Sequence, residues 1–154
     1  MAVILNPPSL LDIEDAKKSI IFLAGGISNC PDWQSGVASK ISKKFDGVIV
    51  NPRRENWNMD SQSNESIKQI EWEHSFLIQS DVILFWFPKE TLCPITLFEL
   101  GAALERGQKL FIGCHVDYQR KLDVIVQSKL VVHNQEIFYD LDKLTDSLIN
   151  YISG

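Results

Sequence analysis

Cysteine is scarce in this chain, with three in 154 residues and none in a CxxC pair. Cys30, Cys93 and Cys114 are odd in number and far apart, so neither a disulfide framework nor a zinc site is signalled, and a reducing cytoplasm suits them. A run of about 18 apolar residues, the minimum for a membrane-spanning helix, is missing as well. The opening "MAVILNPPSLLDIEDAKKS" has a short apolar start but no basic stretch before it, so it does not read as a signal peptide. Positive charge is in deficit: the net charge of −5 argues against a partner that is a nucleic-acid polymer or an anionic membrane. The GxGxxG fingerprint is absent, which speaks against a dinucleotide cofactor.

What is present is the composition of a globular domain, 45% hydrophobic and 23% charged. At this length a single domain over 1–154, with 1–18 as an N-terminal extension, buries roughly two thirds of the surface of its unfolded chain. Five short apolar runs read as strands: 19–25 ("SIIFLAG"), 47–51 ("GVIVN"), 81–87 ("DVILFWF"), 109–114 ("KLFIGC") and 129–133 ("KLVVH"). Continuous apolar runs of this length suit strands covered on both faces. Helical patterns fall near 31–45, 65–79, 94–106, 118–127 and 140–152. The alternation predicts an α/β fold, a single doubly wound five-stranded parallel sheet with helices on both faces. The polar segment 51–66 is the one long loop, and long loops in compact domains often bind ligands.

In such a sheet the ligand crevice lies beyond the carboxyl ends of the strands. After the first run, "AGGISNCPDW" places Gly25 and Gly26 where backbone can approach a ligand or simply turn tightly. After the second, "NPRRENW" offers Arg53 and Arg54, which can clamp an anion or balance nearby acids. Glu73 falls between Ile70 and Leu77 on the apolar side of its helix, as a carboxylate put to use or as half of a rim ion pair with Lys68 or Lys109. In "CPITLFELGAALERG", Pro94 suits the first helical position and Gly107 the residue past the last turn. Thr96 to Glu99 also matches a capping box, which would start the helix at Thr96 and close Glu99 back on it. If Pro94 sets the boundary, Glu99 is free for chemistry. Apolar neighbours Leu97, Phe98 and Leu100 would then raise its pKa, and the positive helix end would lower it.

The segments "IFLAGGIS", "NPRR", "QIEWEHSFLIQSDVILFWFP" and "PITLFELGAAL", in this order, resemble the nucleoside 2-deoxyribosyltransferase-like family, most strongly from Gln69 to Leu104. The resemblance implies a Rossmann- or flavodoxin-like sheet, a homodimer or higher homo-oligomer, a small-molecule nucleoside or nucleotide and a free base as partners, and no metal or organic cofactor. It implies cleavage of the N-glycosidic bond of a 2′-deoxynucleoside or deoxynucleotide through a covalent glycosyl-glutamate, with Glu99 of the "ELG" motif as nucleophile, Glu73 and Asp81 as accompanying acids, and the deoxyribosyl group passing to another base. The alternatives are a nucleotide N-hydrolase that releases the base to water and a non-catalytic nucleotide-binding module on the same fold. The related nucleotide N-hydrolases bind a 5′-phosphate through hydroxyl and basic groups, for which Ser28, Arg53 and Arg54 are candidates, beside Asn51 at the strand end. Family transferases carry an acid in the loop before the "ELG" helix. This chain reads "KETLCPIT" there, so Glu90 is the available acid, with Thr91 and Cys93 nearer the matching place. Trp33 and Trp57 are candidate stacking surfaces for the base, whereas Trp86, inside a strand, belongs to the core.

Overall fold

The sheet forms because its strands carry apolar residues on both sides and each side finds a layer of helices. In the computed structural model, which describes residues 1–54 and 64–154, six parallel strands are β1 (Val3–Leu5), β2 (Ile20–Gly25), β3 (Val48–Val50), β4 (Val82–Phe87), β5 (Lys109–Cys114) and β6 (Ile137–Phe138). The helices are α1 (Gln34–Ser42), α2 (Asn64–Gln79), α3 (Pro94–Arg106), α4 (Lys121–Val131) and α5 (Leu141–Ser153). The strand order is β1-β3-β2-β4-β5-β6. Side chains alternate along each strand. Phe22, Ile83, Phe85 and Phe87 pack with Trp72, Phe76, Leu100 and Leu104 of α2 and α3. On the opposite face Ile21, Leu23, Leu84 and Trp86 pack with Val37 and Ile41 of α1 and Leu144 and Leu148 of α5. Trp86 is a core residue, as its strand position predicts.

Two expectations about the strands are corrected. The sheet has six strands, because Val3–Leu5 pairs in register with Val48–Val50 and draws part of the N-terminal extension into the fold. Residues 129–133 do not form a strand: α4 runs to Val131, with Val132 following it as an extended cap residue. There the β-branched composition loses to helical packing, since Val124 and Ser128, four apart, are the buried positions while Leu130 is 79% exposed. The edge strand beside β5 is instead the two-residue Ile137–Phe138, which pairs with Ile112 and Gly113.

The chain leaves β2 toward β3 on one side and then crosses back to place β4 on the other side of β2. Between β2 and β4 the connections diverge, which opens a crevice at the carboxyl ends of these two strands.

Candidate active site

A cavity of about 270 Å³ occupies this crevice. Its walls come from the end of β2 and the following loop (Gly25, Gly26, Ile27, Ser28), from the segment entering α3 (Thr91, Cys93, Pro94), and from Glu73 of α2 and Glu99 of α3. Gly25 and Gly26 are required by close approach. A Cβ on Gly25 would run into the Trp86 carbonyl and the Trp33 indole, and one on Gly26 would sit 2.8 Å from Pro88 Cγ and 3.1 Å from both Cys30 Sγ and Cys93 Sγ. The Gly26 carbonyl accepts from Trp33 Nε1 at 2.9 Å and from Gln34 Nε2 at 3.1 Å.

Helix α3 begins at Pro94, with Cys93 as its N-cap at φ 51° and no side chain capping it. The capping-box alternative is thereby excluded: Thr96 is buried inside the first turn, and Glu99 is left to face the cavity. At the other end Gly107 adopts φ 71°, and its N–H reaches back to the last turn, as the position past a helix favours. Glu99 is pushed up to about 8, first by burial and second by the negative charge of Glu73. The positive helix end does not offset this, because its influence fades beyond the first turn.

Glu73 is raised too, by burial, against which a hydrogen bond from Gln69 Nε2 to its Oε1 at 3.0 Å acts in the opposite direction. The buried stripe of α2 is Ser66, Gln69, Trp72, Phe76 and Leu77, and Ile70 is 61% exposed, so the carboxylate borders the apolar side without an ion pair to Lys68 or Lys109.

Several expected site residues lie elsewhere. Asp81 stands at the amino end of β4, where its Oδ2 accepts from Ile20 N at 2.8 Å and its own N–H donates to Ile20 O at 2.9 Å. That is roughly 20 Å, the length of a six-residue strand, from the cavity end. Asp81 joins two strand starts and does not join the carboxyl pair. Trp33 is only 8% exposed and is bonded to Gly26, so its indole belongs to the core with no face free for a base. Arg53 is spent within the fold: its Nε donates to Gln34 Oε1 at 2.8 Å, its Nη2 to Pro31 O at 2.9 Å, and it pairs with Asp32 at 3.4 Å. Asn51 is buried, with Oδ1 accepting from Arg53 N, and it borders with Arg53 and Arg54 a separate groove over β1 and α1. Glu90 is exposed and outside the cavity wall. Trp57 lies outside the described residues.

Cys93 occupies the wall where an acid was sought; burial pushes its thiol up to about 12, so it is a neutral group. Gln69 went unnoticed in the sequence, although its four-residue spacing from Glu73 is the helical signal that marks such a pair.

A protein solved from Enterococcus faecalis V583, described as a conserved protein, shares this fold with a TM-score of 0.59 at 14% identity, covering 88% of this chain and 97% of its own. That likeness defines an α/β protein with a parallel Rossmann-like sheet. The sequence profile of the nucleoside 2-deoxyribosyltransferase-like family matches residues 18–118, from the start of β2 to beyond β5, and the chain belongs to that family. No curated protein matches it. None of the described helices is long and apolar enough to cross a membrane.

Proposed function

We propose that this protein cleaves the N-glycosidic bond of a 2′-deoxynucleoside through a covalent glycosyl-glutamate and transfers the deoxyribosyl group to another base. The observation that carries the reading is the convergence of Glu99 and Glu73, from two different helices, on one cavity at the divergence of β2 and β4. A carboxylate oxygen of Glu99 bonds to C1′ as the C1′–N bond breaks, and the electron pair leaves with the base, which takes up a proton. The acceptor base then attacks C1′ from the face that the first base left, and Glu99 is released as carboxylate. Two displacements return the original anomeric configuration, the logic of retaining glycosidases.

The positive charge that develops on the sugar in the transition state is matched by two acidic groups in a partly buried site, where such attraction is stronger than in water. Glu99 must be ionised to attack, and its negative charge is stabilised as the reacting sugar becomes cationic in the transition state. Glu73 is the acid on the cavity wall that can orient the sugar or exchange a proton with the leaving base.

A neutral nucleoside fits this cavity better than a nucleotide. None of its described wall residues is Lys or Arg, residues 55–63 contain neither, and Arg53 is committed to the loop before α1. A phosphate beside two carboxyl groups would meet repulsion without a compensating cation. Exposed Ile95, which borders the cavity, and exposed Phe98, three residues further along α3, fit a second copy of the chain, and a homo-oligomer is part of the same reading.

The test is incubation with each deoxynucleoside and deoxynucleoside monophosphate, with and without free adenine, followed by chromatography of bases and nucleosides. Exchange that requires added base, absent in Glu99→Ala, is the expected result. Base release at the parent rate by a folded Glu99→Ala protein would refute the nucleophile assignment, and free sugar without acceptor would make the protein a hydrolase.

A further inference from the structure

Gln69 is 8% exposed on α2, and the two ends of its carboxamide have unequal surroundings. Its Nε2 donates to Glu73 Oε1 at 3.0 Å and lies 3.5 Å from the Pro52 carbonyl, while its Oε1 is fully buried and accepts no hydrogen bond among the described residues. The opposite amide orientation would turn the oxygen against the Glu73 carboxylate, so the arrangement follows from the charge beside it. A buried oxygen with no donor destabilises a fold, and a leucine or methionine at this position would avoid that loss. The residue's value therefore lies in its one good hydrogen bond.

We propose that Gln69 is a positioning residue for the carboxyl pair, holding Glu73 against the cavity as a carboxylate at the expense of an unpartnered oxygen in the fold. This rests on the reading of Glu99 as nucleophile. Among the described residues the ionisable groups that face Glu73 are few. From α3 comes Glu99, and from the start of that helix the Cys93 thiol. The cavity residues of β2 and its loop are not ionisable, and the segment after β3 contributes Pro52. On α2 itself Glu71 and His74 are exposed, and the groove bordered by Gln69 carries Arg54, Glu65 and Lys68. Among the described residues the Gln69 amide is thus the one donor to Glu73, and without it burial acts unopposed.

The experiment compares the full chain with Gln69→Leu and Gln69→Met, measuring melting temperature, kcat and KM for base exchange over a pH range, and the carboxyl titration of Glu73 by carbon-13 NMR. The expected result is a kcat lower by about 10- to 100-fold, the cost of a misplaced group in an active site. KM should change little, the melting temperature should equal or exceed the parent's, and the Glu73 titration should move to higher pH. Parent kcat with the parent Glu73 titration would overturn the proposal. So would melting of both variants well below the parent, because Gln69 would then be a structural residue only. If the parent shows no turnover, the glycosyl-transfer reading fails by itself, and the NMR titration still decides about Gln69: an unmoved Glu73 overturns the proposal, and a Glu73 that titrates higher upholds it.

Discussion

The two ends of the sheet treat a carboxylate in opposite ways. At the amino ends of β2 and β4, Asp81 is exposed to water, receives the Ile20 N–H and ties two strand starts together. At the carboxyl ends Glu99 is partly buried, shares its cavity with a second acid, and is held near 8, far above the ordinary carboxylate range. One acid has been given what an anion wants, and the other has been denied it. Strained electrostatics of the second kind mark functional sites more often than satisfied ones do.

The largest effect should come from removing the unsatisfied acid. Glu99→Gln is expected to lower base exchange by about 10⁴-fold or more, the scale of losing a covalent nucleophile, while Asp81→Asn retains exchange near the parent rate; comparable losses in both would break the contrast between the ends. Next comes the pH dependence. Below about 8 the empty site holds Glu99 protonated, so kcat/KM should rise with pH through about 8. Glu73→Gln should shift that rise downward, though not to the ordinary range, because burial is the larger cause.

Stability should run the other way. Glu99 titrates higher folded than its ordinary 4.5, so its stabilising contribution is complete below about 4.5 and is lost as pH rises through about 8. Thermal melting should show this decline, and Glu99→Gln should flatten it. The smallest effect is at the amino end: Asp81→Ala, which strips the acceptor from Ile20 N, should cost on the order of 1 kcal/mol by denaturant unfolding and leave exchange intact.

Much of the architecture was readable from local pattern. Four central strands announce themselves by apolar runs, and α3 by Pro94 and Gly107, since proline and glycine act through backbone geometry that needs no distant partner. The edges were not readable. Three residues of β1 are too few to signal a strand, and 129–133 has strand composition but is largely helical because Val124 and Ser128 found the core first. Within the site, Glu99, Glu73, Gly25, Gly26 and Ser28 come together at the cavity. Arg53, Asn51, Trp33 and Asp81 do not join them, because each has partners supplied by segments distant in sequence or by a turn that composition cannot reveal.

What the sequence by itself determined is a doubly wound parallel sheet, membership of the nucleoside 2-deoxyribosyltransferase-like family, and a helix that starts at proline with a glutamate in its second turn. Those follow from periodicity, backbone constraints and motif order, all of which are local. Only the tertiary structure decided which acids meet. Glu73 and Glu99 are 26 positions apart and belong to different helices, yet one crevice desolvates both and sets their charges against each other. Asp81 is the closer to Glu73 in sequence, yet it is carried to the far end of the sheet. Burial and charge act through space, and a linear pattern carries no record of distances through space.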